Sequence, residues 1–159
     1  MKTLKRRRFE GKTDYKARLA LLKSGKPRLV IRKTNKYIVV QLVRSEGAQD
    51  FVVSSVSSHD LPGTDKKNNG LLRNRAAAYT AGFLLGSKIK GKVKEAILDI
   101  GMHRNVHKSR IYAALKGALD AGLVVPHDPE ALPSMETIHS NKKMTDILNK
   151  IIGKEAKHG

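Results

Sequence analysis

The chain reads as an α/β protein: an antiparallel three-strand meander followed by an α-β-α(-β) run, giving a mixed sheet with packed helices. Three stretches carry that reading. Arg28 to Val43 holds two runs dense in β-branched residues on either side of Thr34-Asn35-Lys36, a polar turn whose Asn tolerates positive φ. Asn69 to Leu85 places Leu72, Ala76, Tyr79 and Phe83 on one helical stripe, with Gly86 as its end. Glu95 to Val125 runs apolar segment, loop, amphipathic helix and second apolar segment, the order of a right-handed βαβ unit.

The elements follow in order. Met1 to Lys12 has no apolar periodicity and is expected to order only where phosphates meet Lys5, Arg6, Arg7 and Arg8. Phe9-Glu10-Gly11-Lys12 stands where a secretory signal would carry its apolar run. Thr13 can cap a helix from Asp14 to Lys23, stopped by Gly25 and Pro27, with Tyr15, Leu19 and Leu22 as its inner stripe. In the first strand, Leu29 and Ile31 point one way and Arg28, Val30 and Arg32 the other, because side chains alternate. One face is core, and the other forms a cationic ridge with Lys33, Lys36 and Tyr37. Tyr37 to Val43 is the second strand and Asp50 to Val56 the third, joined by a turn at Ser45 to Gln49.

Ser57 to Gly70 is a long polar connection. In the helix after it, Ala77, Ala78, Ala81 and Gly82 are small enough to let it lie close against a sheet. Ser87 to Lys94 is a Gly and Lys connection, and Glu95 to Ile100 a buried strand. Ser109 is the N-cap of a helix through Leu119, closed near Gly122, with Ile111, Leu115, Ala118 and Leu119 inside. Leu123 to Val125 is a further strand. A last helix from about Asn141 to Ile152 sets Met144, Ile147, Leu148 and Ile151 on one face, which docks on its own domain or on another protein. The chain thus divides into a basic tail at 1–12, an α/β domain at 13–126 and a C-terminal extension with a short helix at 127–159.

RNA enters through charge. The chain has 32 Lys plus Arg against 14 Asp plus Glu, a net charge of +18, and a surplus of that size calls for a polyanion. The absence of cysteine removes disulfides and thiolate zinc sites and points to the cytoplasm. No apolar stretch reaches the ~20 residues of a membrane span, so no membrane partner is expected. Seven aromatics, three Phe and four Tyr, are too scattered for serial base stacking, which favours a structured RNA over a single strand.

Catalysis finds little support. The mixed sheet resembles the ribonuclease-H-like scaffold, but that chemistry needs several carboxylates around metal ions, and Asp99 is the only acid within an expected strand core. His103 and His107 lack the glutamate of a zinc-protease motif, and no glycine-rich phosphate cradle is present. Neither cofactor nor metal is expected. Arg104, Lys108 and Arg110 around those histidines offer a phosphate contact at a helix N-terminus, or form a plain solvated connection.

Thr13-Asp14-Tyr15-x-x-Arg18, Lys26 through Ile38 with Gln41, Ala77-Ala78-Tyr79 with Gly82-Leu84-Leu85, Leu98-Asp99-Ile100-Gly101 and Ala113 through Gly122 with Pro126-His127 occur in a fixed order. Together they resemble the universal large-subunit ribosomal protein family that binds 5S ribosomal RNA, number eighteen in the bacterial series, in its archaeal and eukaryotic branch. The resemblance implies a non-enzymatic α/β protein, monomeric within the ribosome, which attaches 5S rRNA to the large rRNA in the central protuberance beside neighbouring ribosomal proteins. It also implies RNA-facing roles for Lys5, Arg6, Arg7, Arg8, Tyr15, Arg18, Arg28, Arg32, Lys33, Asn35, Lys36 and Tyr37. Tyr15 by its spacing reads first as a packing residue and second as a stacking one. Lys12, Arg73, Arg104 and Lys108 are added as charged neighbours. A general nucleic-acid-compacting protein is the alternative that charge alone would satisfy. Replacing Arg32 and Lys36 together by Ala is expected to weaken RNA binding without unfolding, since both project from the hairpin.

Overall fold

The computed structural model describes residues 3, 5–47, 49–61, 69–139 and 145–150. Strands β1 (Arg28–Lys33), β2 (Ile38–Glu46), β3 (Gln49–Ser57) and β4 (Ile97–Asp99) form one mixed sheet in the order β3-β2-β1-β4. The first three are an antiparallel meander, and β4 lies parallel to β1 with Leu98 beside Leu29 and Asp99 beside Val30. The α/β class, the meander and the mixed sheet are as the sequence predicts.

Leu29, Ile31, Ile38, Val40 and Leu42 are fully buried on the inner face, beneath helices α4 (Arg75–Ile89) and α5 (Arg110–Asp120). Alternation along β1 and β2 therefore decides which side carries the core. The β1–β2 turn is built differently from expectation. Asn35 does not adopt positive φ. Instead Thr34 closes the turn, its Oγ1 accepting from the Tyr37 and Lys36 N–H groups and donating to the Tyr37 carbonyl at 2.8 Å. A short polar side chain here replaces the left-handed residue as the turn former.

The predicted helix at 69–85 is two elements. A short α3 (Asn69–Leu72) ends at Arg73, and Asn74 caps a new start by accepting from the Ala77 N–H at 2.7 Å. The second piece, α4, runs through Gly86 to Ile89, so Gly86 is no terminator. It is a packing glycine: a Cβ there would lie 2.5 Å from the Ala121 Cβ on the α5 side. The small residues Gly82 and Gly86 accordingly bring α4 against α5, rather than against the sheet alone. Sequence spacing cannot tell which neighbour a small-residue stripe meets.

Two further segments differ from expectation. Residues 123–125 do not form a strand but make a single parallel bridge, Glu95 with Val124. The stretch expected to lack structure has one helical turn, α1 (Arg6–Phe9), leading to α2 (Tyr15–Lys23). Asp14 is the N-cap of α2, accepting from the Lys16 and Ala17 N–H groups, so the cap falls one residue after Thr13. No residue of α2 is buried, and Leu19 of its expected inner stripe is exposed, because the helix touches the body along a narrow line.

The C-terminal segment returns to the body. A short α6 (Met135–Ile138) and the helical stretch 145–150 set Ile138 and Leu148 against Leu61, Ala76, Ala77 and Tyr79. Of the expected last-helix stripe, Ile147 and Leu148 dock on this chain's own domain; Met144 and Ile151 lie outside the described residues. Part of the long connection, residues 62–68, also lies outside them.

Candidate nucleic-acid interface

The sheet face opposite the core holds an ionic chain that ties four elements together. Arg28 in β1 is 2% exposed, with Nη1 on Asp99 Oδ2 at 2.7 Å and Nη2 on Asp50 Oδ1 at 2.8 Å. Arg32, two pleats along the same face, gives Nη2 to Asp99 Oδ1 at 2.7 Å and Nη1 to the Asp99 carbonyl at 2.6 Å. Arg18 of α2 closes the other end, Nη2 to Asp50 Oδ2 at 2.6 Å. Ser45 donates to Asp50 Oδ1 at 2.6 Å, and the Gly101 N–H donates to Asp99 Oδ1 at 2.9 Å. The order Arg32, Asp99, Arg28, Asp50, Arg18 thus alternates in sign and joins β4, β1, β3 and α2.

Arg28 is therefore not RNA-facing, contrary to the expectation from the motif. It is the buried centre of the network: its charge is matched by two carboxylates through Nη1 and Nη2, while its Nε is buried without a partner among the described residues. Arg32 does not project freely either. Its guanidinium lies over Gly101, where a Cβ would meet Arg32 Cζ at 2.9 Å, and only part of the side chain reaches solvent. An Arg32→Ala change would thus disturb the fold as well as any ligand contact. The acids were the missing signal. A strand arginine flanked by Leu29 and Pro27 needs carboxylates within reach, and they come from Asp99 on the neighbouring β4, opposite Val30, and from Asp50 on β3, one strand further away and opposite Ser45.

Burial raises the Asp50 carboxyl, but hydrogen bonds from Ser45, Arg18 and Arg28 outweigh it and hold the group at about 2. Burial likewise raises Asp99, and Arg32, Arg28 and the Gly101 N–H overcome it and hold the carboxyl below its ordinary range. His103 is lowered, first by burial and then by Lys33 and Arg32. Each of these groups binds its proton more weakly folded than unfolded. Their stabilisation is present above the unfolded values, ~3.9 for Asp and ~6.5 for His, and is lost as pH falls through the folded ones. Urea midpoints should decline modestly below about pH 6.5 and more steeply from about pH 4 toward 2. Asp50→Asn should flatten the acid limb; an unaltered limb would remove Asp50 from the account.

The remaining candidate residues divide by what they touch. Lys5 Nζ lies 4.6 Å from the centre of the half-buried Tyr15 ring. Arg6 pairs with Glu10 at 3.1 Å and Lys12 with the same carboxylate at 2.8 Å, both largely exposed. Arg7 donates from Nε to Thr13 Oγ1 at 2.9 Å, and Arg8 is exposed. At the hairpin tip Asn35 and Lys36 are exposed, while Tyr37 is half-buried with its ring 6.2 Å from that of His59. Lys33 N–H donates to His103 Nε2 at 3.2 Å, which brings the tip next to the Met102–Lys108 loop. Arg104 and Lys108 are exposed on that loop, Lys108 with φ 57° and its N–H on the Ala131 carbonyl at 2.8 Å. Arg73 is exposed at the α3–α4 break, where its carbonyl accepts from Arg110. The two histidines do separate jobs, His103 as an acceptor and His107 edge-on to Tyr112, and no group of three metal-ligating side chains occurs among the described residues.

A family model described as "Ribosomal large subunit proteins 60S L5, and 50S L18" matches residues 1–96 and 90–128. The chain belongs to this family. It is 51% identical over 134 residues to the large ribosomal subunit protein uL18 of Korarchaeum cryptofilum, covering 84% of this chain and 68% of that protein. Relatives of the same name from Caldivirga maquilingensis and Aeropyrum pernix are each 45% identical over 84% of this chain, which spans 65% and 62% of their lengths. The matched region contains the whole ionic chain and every candidate residue. These relatives are named as ribosomal proteins and not as enzymes, in line with the non-catalytic reading.

Proposed function

We propose that this chain is a cytoplasmic constituent of the large ribosomal subunit that binds 5S rRNA. In this reading it attaches that RNA to the large rRNA in the central protuberance, alongside neighbouring ribosomal proteins. Residues 13–126 carry the binding, with 1–12 as a basic arm. Membership of the family supports the ribosomal part. The observation that supports the RNA part is the way the cations separate. Arg18, Arg28 and Arg32 are held by Asp50 and Asp99, and the same contacts bring α2, the hairpin and the loop after β4 together. Lys36, Arg104 and Lys108 stand exposed on the two adjoining loops, available to phosphates and 2′-hydroxyls.

The test is binding to refolded 5S rRNA titrated in salt, with tRNA and duplex DNA as competitors. Selective binding that survives near-physiological salt supports the proposal; equal, salt-fragile binding to all three favours general nucleic-acid compaction. Lys36→Ala should weaken binding and flatten the log-log salt dependence by about 0.7 to 0.9 per lost phosphate contact. Its stability should stay within about 0.5 kcal/mol of the parent, as for other exposed substitutions.

A further inference from the structure

Between α2 and the loop after β4 lies a cleft of about 680 Å³, and its walls differ in kind. Ala17, Ala20 and Leu21 form one side, and Ile97, Leu98, Ile100 and Met102 the other. Its polar rim is Arg7, Lys12, Arg18, Arg32 and His103, with Asp14 and Asp99 as its acids. Both acids are engaged: Asp99 by Arg28, Arg32 and the Gly101 N–H, Asp14 by the first N–H groups of α2. Donors are left over. Arg7 uses only Nε, on Thr13, and the His103 ring has its second nitrogen clear of the Lys33 contact. The volume lies within the ~300–1,000 Å³ of small-ligand pockets, whose usual make-up is apolar walls with a few directed polar groups.

From this we infer that the cleft receives one unstacked nucleotide of the bound RNA, its base between α2 and the Ile97–Met102 wall and its phosphate at the terminal nitrogens of Arg7 and the His103 ring. Lys12, Arg18 and Arg32 already face Glu10, Asp50 and Asp99, so the rim offers an anion Arg7 and the His103 ring, and the walls offer contact to a flat apolar group; a nucleotide has both. A fully paired duplex cannot supply it, so the occupant is an unpaired or bulged position. The absence of buried residues in α2, which is anchored by Arg18 and Asp50, allows the helix to settle onto the inserted base. The inference rests on the RNA-binding reading above and names a subsite within it.

The experiment uses the full chain and refolded 5S rRNA, with base-specific chemical probing at nucleotide resolution. Ala17→Phe and Ala20→Phe fill the cleft from exposed helix positions without altering charge, and thermal melts confirm that they fold. The expected result is that the parent shields one unpaired base, and both variants restore its reactivity while retaining the other protections, with affinity reduced about tenfold. If the variants leave every protection in place, the cleft is not a nucleotide subsite, although RNA binding stands. Failure of the parent to bind 5S rRNA would overturn both readings. A parallel titration with nucleoside monophosphate, followed by NMR of the His103 ring, separates the sources. Saturable micromolar binding of the free nucleotide, with no RNA base shielded, would overturn the RNA origin.

Discussion

Asp99→Ala is expected to destabilise the protein by about 3–5 kcal/mol, enough to unfold much of a marginally stable population. The reason lies in what remains after the carboxylate is gone. Arg28, almost wholly buried, loses the partner of Nη1, and Arg32 and the Gly101 N–H lose theirs. A cation stripped of its counter-charge in a dry interior costs more than the intact pair contributes. Asp50 still holds Arg28 through Nη2, which places the loss toward the lower end of the range. The double change Arg28→Met with Asp99→Leu removes both charges and fills similar volume, so it should cost less than Asp99→Ala alone. Urea unfolding of the three proteins decides it. If Asp99→Ala unfolds within 1 kcal/mol of the parent and binds RNA more tightly, Arg28 is a ligand-facing group after all.

Gly117→Ala and Gly82→Ala should each cost about 2 kcal/mol or more, although Ala is the better helix former by about 1 kcal/mol. A Cβ on Gly117 would lie 2.1 Å from the Tyr79 carbonyl oxygen, and one on Gly82 would lie 2.0 Å from that of Ala114. Each helix thus presses its backbone into the other's glycine, and only separation of α4 and α5 relieves the overlap. Separation would open the shared core of Ala78, Ala81, Ala114 and Ala118 and pull Tyr79 from Asp120, to which its hydroxyl donates at 2.8 Å. Gly86→Ala should cost least, because its nearest obstacle is the Ala121 methyl. Thermal unfolding of the three variants tests that order. Equal and small losses would mean that the crossing is looser than these distances require.

Both predictions concern features that periodicity could not reveal. The meander was legible because alternation along Arg28–Val43 is a local property: Leu29 and Ile31 must share a side whatever else the chain does. The inner face of α5 was legible for the same reason, through Ile111, Leu115 and Ala118. The break at Arg73-Asn74 was not. Asn74 competes for the backbone as a cap, and that competition is hidden inside an otherwise continuous apolar stripe. The expected stripe of α2 failed where nothing packs tightly enough to enforce it.

At the candidate site the sequence put Arg28 among the ligand-facing cations, and the structure buries it between two carboxylates. Arg28 and Arg32 look alike as strand cations on one face, yet one is buried and the other half-exposed. The difference comes from residues far along the chain, since Asp50 and Asp99 reach Arg28 only once β3 and β4 take their places in the sheet.

What the sequence by itself determined is therefore the net charge, the α/β order, the face each strand turns inward and the family. All of these are carried by composition or by neighbours within a few residues. Only the tertiary structure decided which arginines are buried or ion-paired and which stand exposed, which glycines mark helix contacts instead of helix ends, and that a cleft opens beneath α2. Those outcomes depend on pairings between distant segments, where burial makes an unpaired charge or a sub-van-der-Waals contact too costly to keep.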